Sequence, residues 1–152
     1  MAGTYDETDM RLTPNFTLSE LTVTNTGLSN VPTQAEIAHL RALAVHVLQP
    51  LRERLGRPVL VNSAFRSAQV NRAVGGRATS QHRLGQAADI RVVGMTSRAL
   101  AQHIIDMRLP FDQLIEEFGR WVHVSYRPSN RGQVLTAVTR AGRTVYEPGL
   151  VA

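Results

Sequence analysis

Ser80-Gln81-His82-Arg83-Leu84-Gly85-Gln86-Ala87-Ala88-Asp89 carries the chain from a loop into a strand, and Trp121-Val122-His123-Val124-Ser125 has the alternation of a second strand. His82 and Asp89 are seven residues apart, which on one helix would be two turns, and a ligand pair could form that way too. Gly85 argues against a continuous helix, where it costs ~1 kcal/mol relative to alanine. The better picture puts His82 at the end of a loop and Asp89 inside a strand, facing each other across a turn at Gly85. Ala87 shares the face of Asp89 and leaves room there for a metal. In the second stretch Trp121, His123 and Ser125 share one face while Val122 and Val124 point into a core.

Taken singly, His82 reads as a surface-loop histidine and His123 as a half-buried one. Together with Asp89 they make a plausible three-ligand zinc set. Three protein ligands leave a fourth position open, which is the arrangement of a catalytic rather than a structural zinc. The chain contains no cysteine, so there is no disulfide framework, no thiolate site and no cysteine nucleophile. Any metal must be held by His, Asp or Glu. Other divalent ions could use this set, and zinc suits it best.

Outward from these motifs the pattern is that of a small α+β domain. Residues 1–15 are polar and unpatterned and read as a flexible leader, with residues 16–152 as one domain. Thr17-Leu18-Ser19-Glu20 has the form of a capping box and predicts a short helix. Thr33-Gln34-Ala35-Glu36 is a second capping box, followed by Ile37, Leu40, Ala44, Val47, Leu51 and Leu55 at helical spacing. That helix should run to about Arg54, bend at Pro50 and end at Gly56. Strands are expected at Val59–Phe65, Ala87–Val93, Gln113–Phe118, Trp121–Tyr126 and Gln133–Thr139, with a last arm Thr144–Tyr146 turned at Ala141-Gly142. Helices are expected from Ser67 to Val74 and from Thr96 to Met107. With helices first and an antiparallel meander last, the class is α+β, a small antiparallel sheet flanked by helices.

The formal charge is +5, carried entirely by arginine because the chain has no lysine. The arginines are scattered and aromatics make up 5% of residues, so neither a basic arm nor a base-stacking platform is present. Nucleic acid is therefore not the expected partner. The longest apolar runs fall short of the ~18 residues a membrane span needs. Met1-Ala2-Gly3-Thr4-Tyr5-Asp6-Glu7 has neither a basic nor an apolar signal region. The expectation is a monomer made in the cytoplasm, which would need help to reach an outside substrate.

The resemblance becomes specific when the motifs are put in order. Arg66 in Asn62-Ser63-Ala64-Phe65-Arg66-Ser67, then Asn71-Arg72-Ala73-Val74-Gly75-Gly76, then Ser80-x-His82-x-x-Gly85-x-Ala87-x-Asp89, then Trp121-Val122-His123-Val124-Ser125 resemble zinc peptidase family M15. The similarity runs from about Phe16 to Tyr126 and is nearest the branch of D-Ala-D-Ala carboxypeptidases and phage endolysins. It implies the hedgehog and D-Ala-D-Ala peptidase type of fold, with zinc (Zn2+) on His82, Asp89 and His123. It also implies that Arg66 binds a substrate carboxylate or the developing oxyanion, a role its planar fork suits. Ser80 would orient His82 or donate to the oxyanion, and Trp121 and Ser125, on the face of His123, would line the substrate site. Asp112 is a candidate to orient a ligand histidine. His39, His46 and His103 have no companions and read as ordinary surface or interface histidines.

A general base is also needed. Many members of the family place an acid or histidine three positions before the last ligand, where this chain has Arg120, which cannot serve. Glu116 and Glu117 are the candidates. A two-residue loop Gly119-Arg120 would put Glu116 opposite His123; a loop Phe118-Gly119-Arg120 would put Glu117 opposite Trp121 and on the ligand face. Spacing alone leaves this register open. Relatives with a Gln-Leu-Ile-x-Glu-Phe segment keep the acid at the position of Glu117, so the resemblance favours it. The implied activity is zinc-dependent hydrolysis of an amide bond in the stem peptide of peptidoglycan. A phage-type L-Ala-D-Glu endopeptidase released through a holin comes first, with a D-Ala-D-Ala carboxypeptidase as the alternative. A virion-associated wall-binding module with little catalysis is a further alternative.

Overall fold

The computed structural model describes residues 9–151. Within them, eight strands and four α-helices succeed one another as β1 Arg11–Thr13, β2 Phe16–Thr17, α1 Gln34–Leu43, α2 Gln49–Leu55, β3 Leu60–Ser63, α3 Ala68–Ala73, β4 Ala87–Arg91, α4 Ser97–Asp106, β5 Gln113–Glu117, β6 Trp121–Ser125, β7 Gln133–Arg140 and β8 Arg143–Pro148. The class is α+β as expected. No helix among the described residues is long and apolar enough to cross a membrane.

Within the stretch expected as a leader, Arg11–Thr13 forms the first strand. Thr13 pairs with Phe16 across Pro14-Asn15, which is good turn chemistry, and Leu12 and Phe16 are buried in the core. Two strands this short give no periodic signal to read. Residues 1–8 lie outside the described residues. The capping box at Thr17 forms in full: Thr17 N–H donates to Glu20 Oε1 at 3.0 Å and Glu20 N–H to Thr17 Oγ1 at 3.3 Å. It leads into a single 3-10 turn, Glu20–Thr22.

α1 starts at its own capping box, where Thr33 Oγ1 accepts from Glu36 N–H and Glu36 Oε1 from Thr33 N–H. Pro50 acts upstream of itself. Its ring would collide with the carbonyl four residues back, and the helix avoids this with a π-helical turn over Ala44–Leu48 before resuming as α2. Gly56, at φ 65°, ends it in the left-handed region.

The main sheet has the order β3-β4-β6-β5-β7-β8 and is antiparallel except for the pair β5–β7, which is parallel. The expected meander is therefore wrong in one place. After β6 the chain crosses the start of β5 and comes down its other side. Asp112, just ahead of β5, holds that crossover. Its fully buried carboxylate takes Arg131 Nε at 3.0 Å and Nη2 at 2.7 Å, the Arg131 N–H at 2.9 Å, and Arg127 Nε at 3.0 Å. It does not touch either ligand histidine, contrary to expectation. The sheet divides its residues by parity. Ala88, Ile90, Leu114, Val122 and Val124 join Leu40, Leu43, Val47, Leu51, Leu100 and Ile104 in one apolar cluster on the helix side. The opposite face carries Asp89, His123 and Glu117.

The guanidinium of Arg131 holds the Asp112 carboxyl down to about 2. A carboxyl lowered on folding contributes stability that is present above its unfolded value of ~3.9 and lost as the pH falls through its folded one. Asp112→Asn should therefore lower the unfolding free energy by about 2 kcal/mol near neutrality, as loss of charged hydrogen bonds does. Denaturant melts should find the gap to wild type closing between about pH 4 and pH 2.

Candidate metal centre

On the polar face the register Asp89↔His123 sets two of the three candidate ligands side by side on β4 and β6. His82 reaches them from a 3-10 turn, Gln81–Leu84, capped by the Ser80 hydroxyl, which accepts from the His82 N–H. Gly85 is needed here twice over. Its φ of 77° is left-handed, and a Cβ would stand 2.7 Å from the Glu36 carbonyl oxygen. The turn is clamped on α1 by Arg83 Nη1 on Glu36 Oε2 at 2.9 Å and by His39 Nδ1–H on the Leu84 carbonyl at 2.8 Å.

Asp89 Oδ1 lies 3.2 Å from His82 Nε2 and 3.1 Å from His123 Nδ1, and all three residues are buried. The ligand atoms fall within 4.8 Å of one another, the one such group among the described residues. On a tetrahedron with bonds of ~2.0 Å, ligands stand ~3.3 Å apart, so the spacing fits zinc. The tautomer fits too. His82 Nδ1 contacts the Ala64 carbonyl at 2.7 Å; a carbonyl only accepts, so Nδ1 carries the proton and Nε2 keeps its lone pair for a metal. The residue that orients a ligand histidine is thus a backbone carbonyl rather than Asp112. Burial alone would raise the Asp89 carboxyl, but the flanking imidazoles outweigh it and hold the group below the usual carboxylate range.

Arg66 stands at the other oxygen of Asp89, Nη2 to Oδ2 at 3.4 Å, and is steadied by Nε on Ser63 Oγ at 3.1 Å. Glu117 pairs with Trp121 across a three-residue loop, Phe118-Gly119-Arg120, which puts it on the ligand face. Trp121 Nε1–H donates to Glu117 Oε1 at 3.1 Å, leaving Oε2 at 4.0 Å from His123 Nδ1. Burial first, then the charge of Asp89, push the Glu117 carboxyl up. Glu116 faces the other way. Its Oε2 accepts from Ser97 Oγ at 2.6 Å and from the Gly119 N–H at 2.8 Å, a brace for the β5–β6 turn.

A cleft of about 870 Å³ opens over the triad, with Arg66, Ser80 and Glu117 in its walls. Two residues expected there are elsewhere. Ser125 is fully buried, where its hydroxyl accepts from Gln113 N–H at 3.0 Å and pins β5 to β6. Trp121 lines a separate surface hollow with Phe118 and Arg120. Sharing a strand face with His123 did not bring either into the cleft, because a neighbouring strand covers one and Glu117 holds the other. Sequence reasoning missed Arg77, Leu135 and Tyr146, which do line the cleft; distant loops and strands bring them there, without a local motif. Of the remaining histidines, His46 stacks on Tyr126 at 4.6 Å and His103 is exposed.

Fold and site together define a metal-binding α+β domain with two histidines, one aspartate and a carboxylate close to the metal position. Peptidase M15 matches residues 14–125. The zinc D-Ala-D-Ala carboxypeptidase of Streptomyces albus G is 39% identical over 101 residues, 64% of this chain and 40% of that relative's length. The chain belongs to the peptidase M15 family.

Stoichiometric zinc should raise the melting temperature of wild type and not of Asp89→Ala, since only a formed site couples binding to folding. Gly85→Ala should cost at least about 1–2 kcal/mol from the left-handed backbone alone. It should also weaken zinc binding, read by competition with a chromogenic chelator.

Proposed function

We propose that this protein is a zinc-dependent peptidase that hydrolyses an amide bond in the peptidoglycan stem peptide. The observation that carries the reading is the buried His82–Asp89–His123 group with Glu117 Oε2 at 4.0 Å from His123 and Arg66 beside Asp89. Zinc held by these three residues would supply Lewis acidity toward the scissile carbonyl and make water acidic enough to react near neutral pH. Glu117 Oε2, on the ligand face 4.0 Å from His123 Nδ1, would accept a proton from the attacking water and return it to the leaving nitrogen. A carboxyl raised by burial is better matched to both halves of that transfer than an ordinary glutamate. Trp121 fixes the far oxygen, so the shuttle has one defined direction. Arg66 binds a carboxylate on the residue that carries the leaving amine, or the oxyanion, through the guanidinium edge not used by Ser63 and Asp89.

The bond is read in two ways. The Streptomyces relative supports the terminal D-Ala-D-Ala bond, whose free carboxylate suits Arg66. The cleft continues past Arg66 to Gly75, Arg77 and Thr79, and this room supports an internal bond such as the L-Ala-D-Glu bond of a phage-type endolysin. A γ-linked D-Glu also offers Arg66 a free α-carboxylate, so the two readings share one anchoring chemistry. Action on the cell wall from outside the cytoplasm, by holin release or from a virion, belongs to the second.

Zinc-loaded protein incubated with purified peptidoglycan should create new termini readable by mass spectrometry. Free D-Ala identifies the carboxypeptidase, a new N-terminal D-Glu the endopeptidase, and zinc bound with no cleavage at all contradicts the enzyme. Glu117→Gln should lower kcat by about a hundredfold or more while keeping zinc. Glu116→Ala should instead cost about 1–3 kcal/mol of stability, from a buried hydroxyl and amide left unpaired, with kcat little changed.

A further inference from the structure

The family match ends at Ser125, yet the cleft draws Arg131, Gln133, Leu135, Thr144 and Tyr146 from beyond it. These residues extend the working face past the metal group. Asp89, His123, Ile115 and Leu135 lie in one row across the sheet, each paired with the next. With strands ~4.8 Å apart, Leu135 stands about 10 Å beyond His123, the span of about three extended residues. Tyr146, half exposed, is opposite Ala137, which in turn pairs with Glu117. Arg66 is on the other side of the triad, beside β4.

We infer that the β7–β8 arm is an acyl-side subsite, in which Leu135 and Tyr146, with Phe118, bind the stem peptide about three residues upstream of the scissile bond. The inference rests on the reading in which Arg66 holds the carboxylate of the leaving residue. Once that end is anchored at Arg66 and the carbonyl lies over the triad, the rest of the peptide has to run across Ile115 toward the arm. The lining it meets there sets Ile115, Leu135, Phe118 and Tyr146 among the neutral polar side chains Gln113, Gln133 and Thr144, and Arg77 gives the cleft a cationic rim. An anionic peptide with aliphatic side chains fits it.

Phe118 adds an independent observation. It sits at φ 59°, a left-handed backbone that disfavours a bulky side chain, although glycine would fill the position without strain. The Phe118 N–H on the Ala137 carbonyl at 3.0 Å holds it there. Its ring packs edge-on to Trp121, with centroids 6.4 Å apart, and reaches the cleft. A strained aromatic kept at the cleft wall is what a contact surface for substrate requires and a simple hairpin does not.

The test is titration calorimetry of the zinc-loaded protein with two non-cleavable ligands. One is L-Ala-γ-D-Glu-L-Lys-D-Ala-D-Ala with its L-Ala–D-Glu amide and its last amide each reduced to a methyleneamino link, and the other is the D-Ala-D-Ala dipeptide with the same reduced link. Wild type should bind the pentapeptide analogue about tenfold or more tightly than the dipeptide, the scale of one anchoring aromatic. Tyr146→Ala and Leu135→Ala should erase that preference and leave the dipeptide affinity where it was. Phe118→Gly should reduce the preference while raising the melting temperature, a combination that a purely structural role would not give. A wild type without the preference, or variants that keep it in full, would overturn the subsite. Hydrolysis is scored separately on the natural pentapeptide. Preference for the longer ligand with no hydrolysis upholds the subsite and overturns the peptidase.

Discussion

One buried carboxylate between two imidazoles sets the terms for the rest of the molecule. Asp89 takes His82 and His123 on the same oxygen and Arg66 on the other. A charge in so enclosed a place is unfavourable unless every partner stays in position. Its partners come from different places in the chain: β6, the turn before β4, and the segment after β3. The apolar residues that alternate with the ligands hold the register, with Ala88 opposite Val124 and Ile90 opposite Val122 on the helix side. A slip of one residue would send Asp89 or His123 into the core and an apolar neighbour, Ala88 or Ile90 on β4 or a valine on β6, to the metal.

The sheet separates two jobs by parity. Neighbouring acids show it most directly: Glu117 faces the ligands while Glu116 braces the turn from behind. The helices under the sheet also shape the site. Glu36 serves the capping box of α1 with one oxygen and Arg83 with the other, so the start of that helix and the His82 turn are one unit. Gly85 lets the two come close enough for this.

Much of this was legible in the sequence because it is local. The capping box at Thr33, the glycine after Leu84 and the alternation around His123 each describe a few consecutive residues, and the elements they imply are present. The ambiguity over Glu116 and Glu117 was of a different kind. It turned on one residue of loop length, which the Phe118–Arg120 turn decides through contacts to Glu116 and Ala137. The parallel placement of β7 was not legible, because it depends on Asp112 gathering Arg127 and Arg131 from a crossover that carries no periodic signal. Nor were the cleft positions of Leu135 and Tyr146. Trp121 and Ser125 were assigned by strand face alone, and face does not tell which residues a neighbouring strand or side chain will cover.

The central claim is that three side chains, and no others, hold the metal with a position left open. Zinc K-edge X-ray absorption of the stoichiometrically loaded protein addresses it most directly. The expected shell is four or five nitrogen and oxygen atoms at about 2.0–2.1 Å. Its outer-shell scattering should correspond to two imidazoles, falling to one in His82→Ala. Three or more imidazoles, or a spectrum unchanged in that variant, would contradict the account.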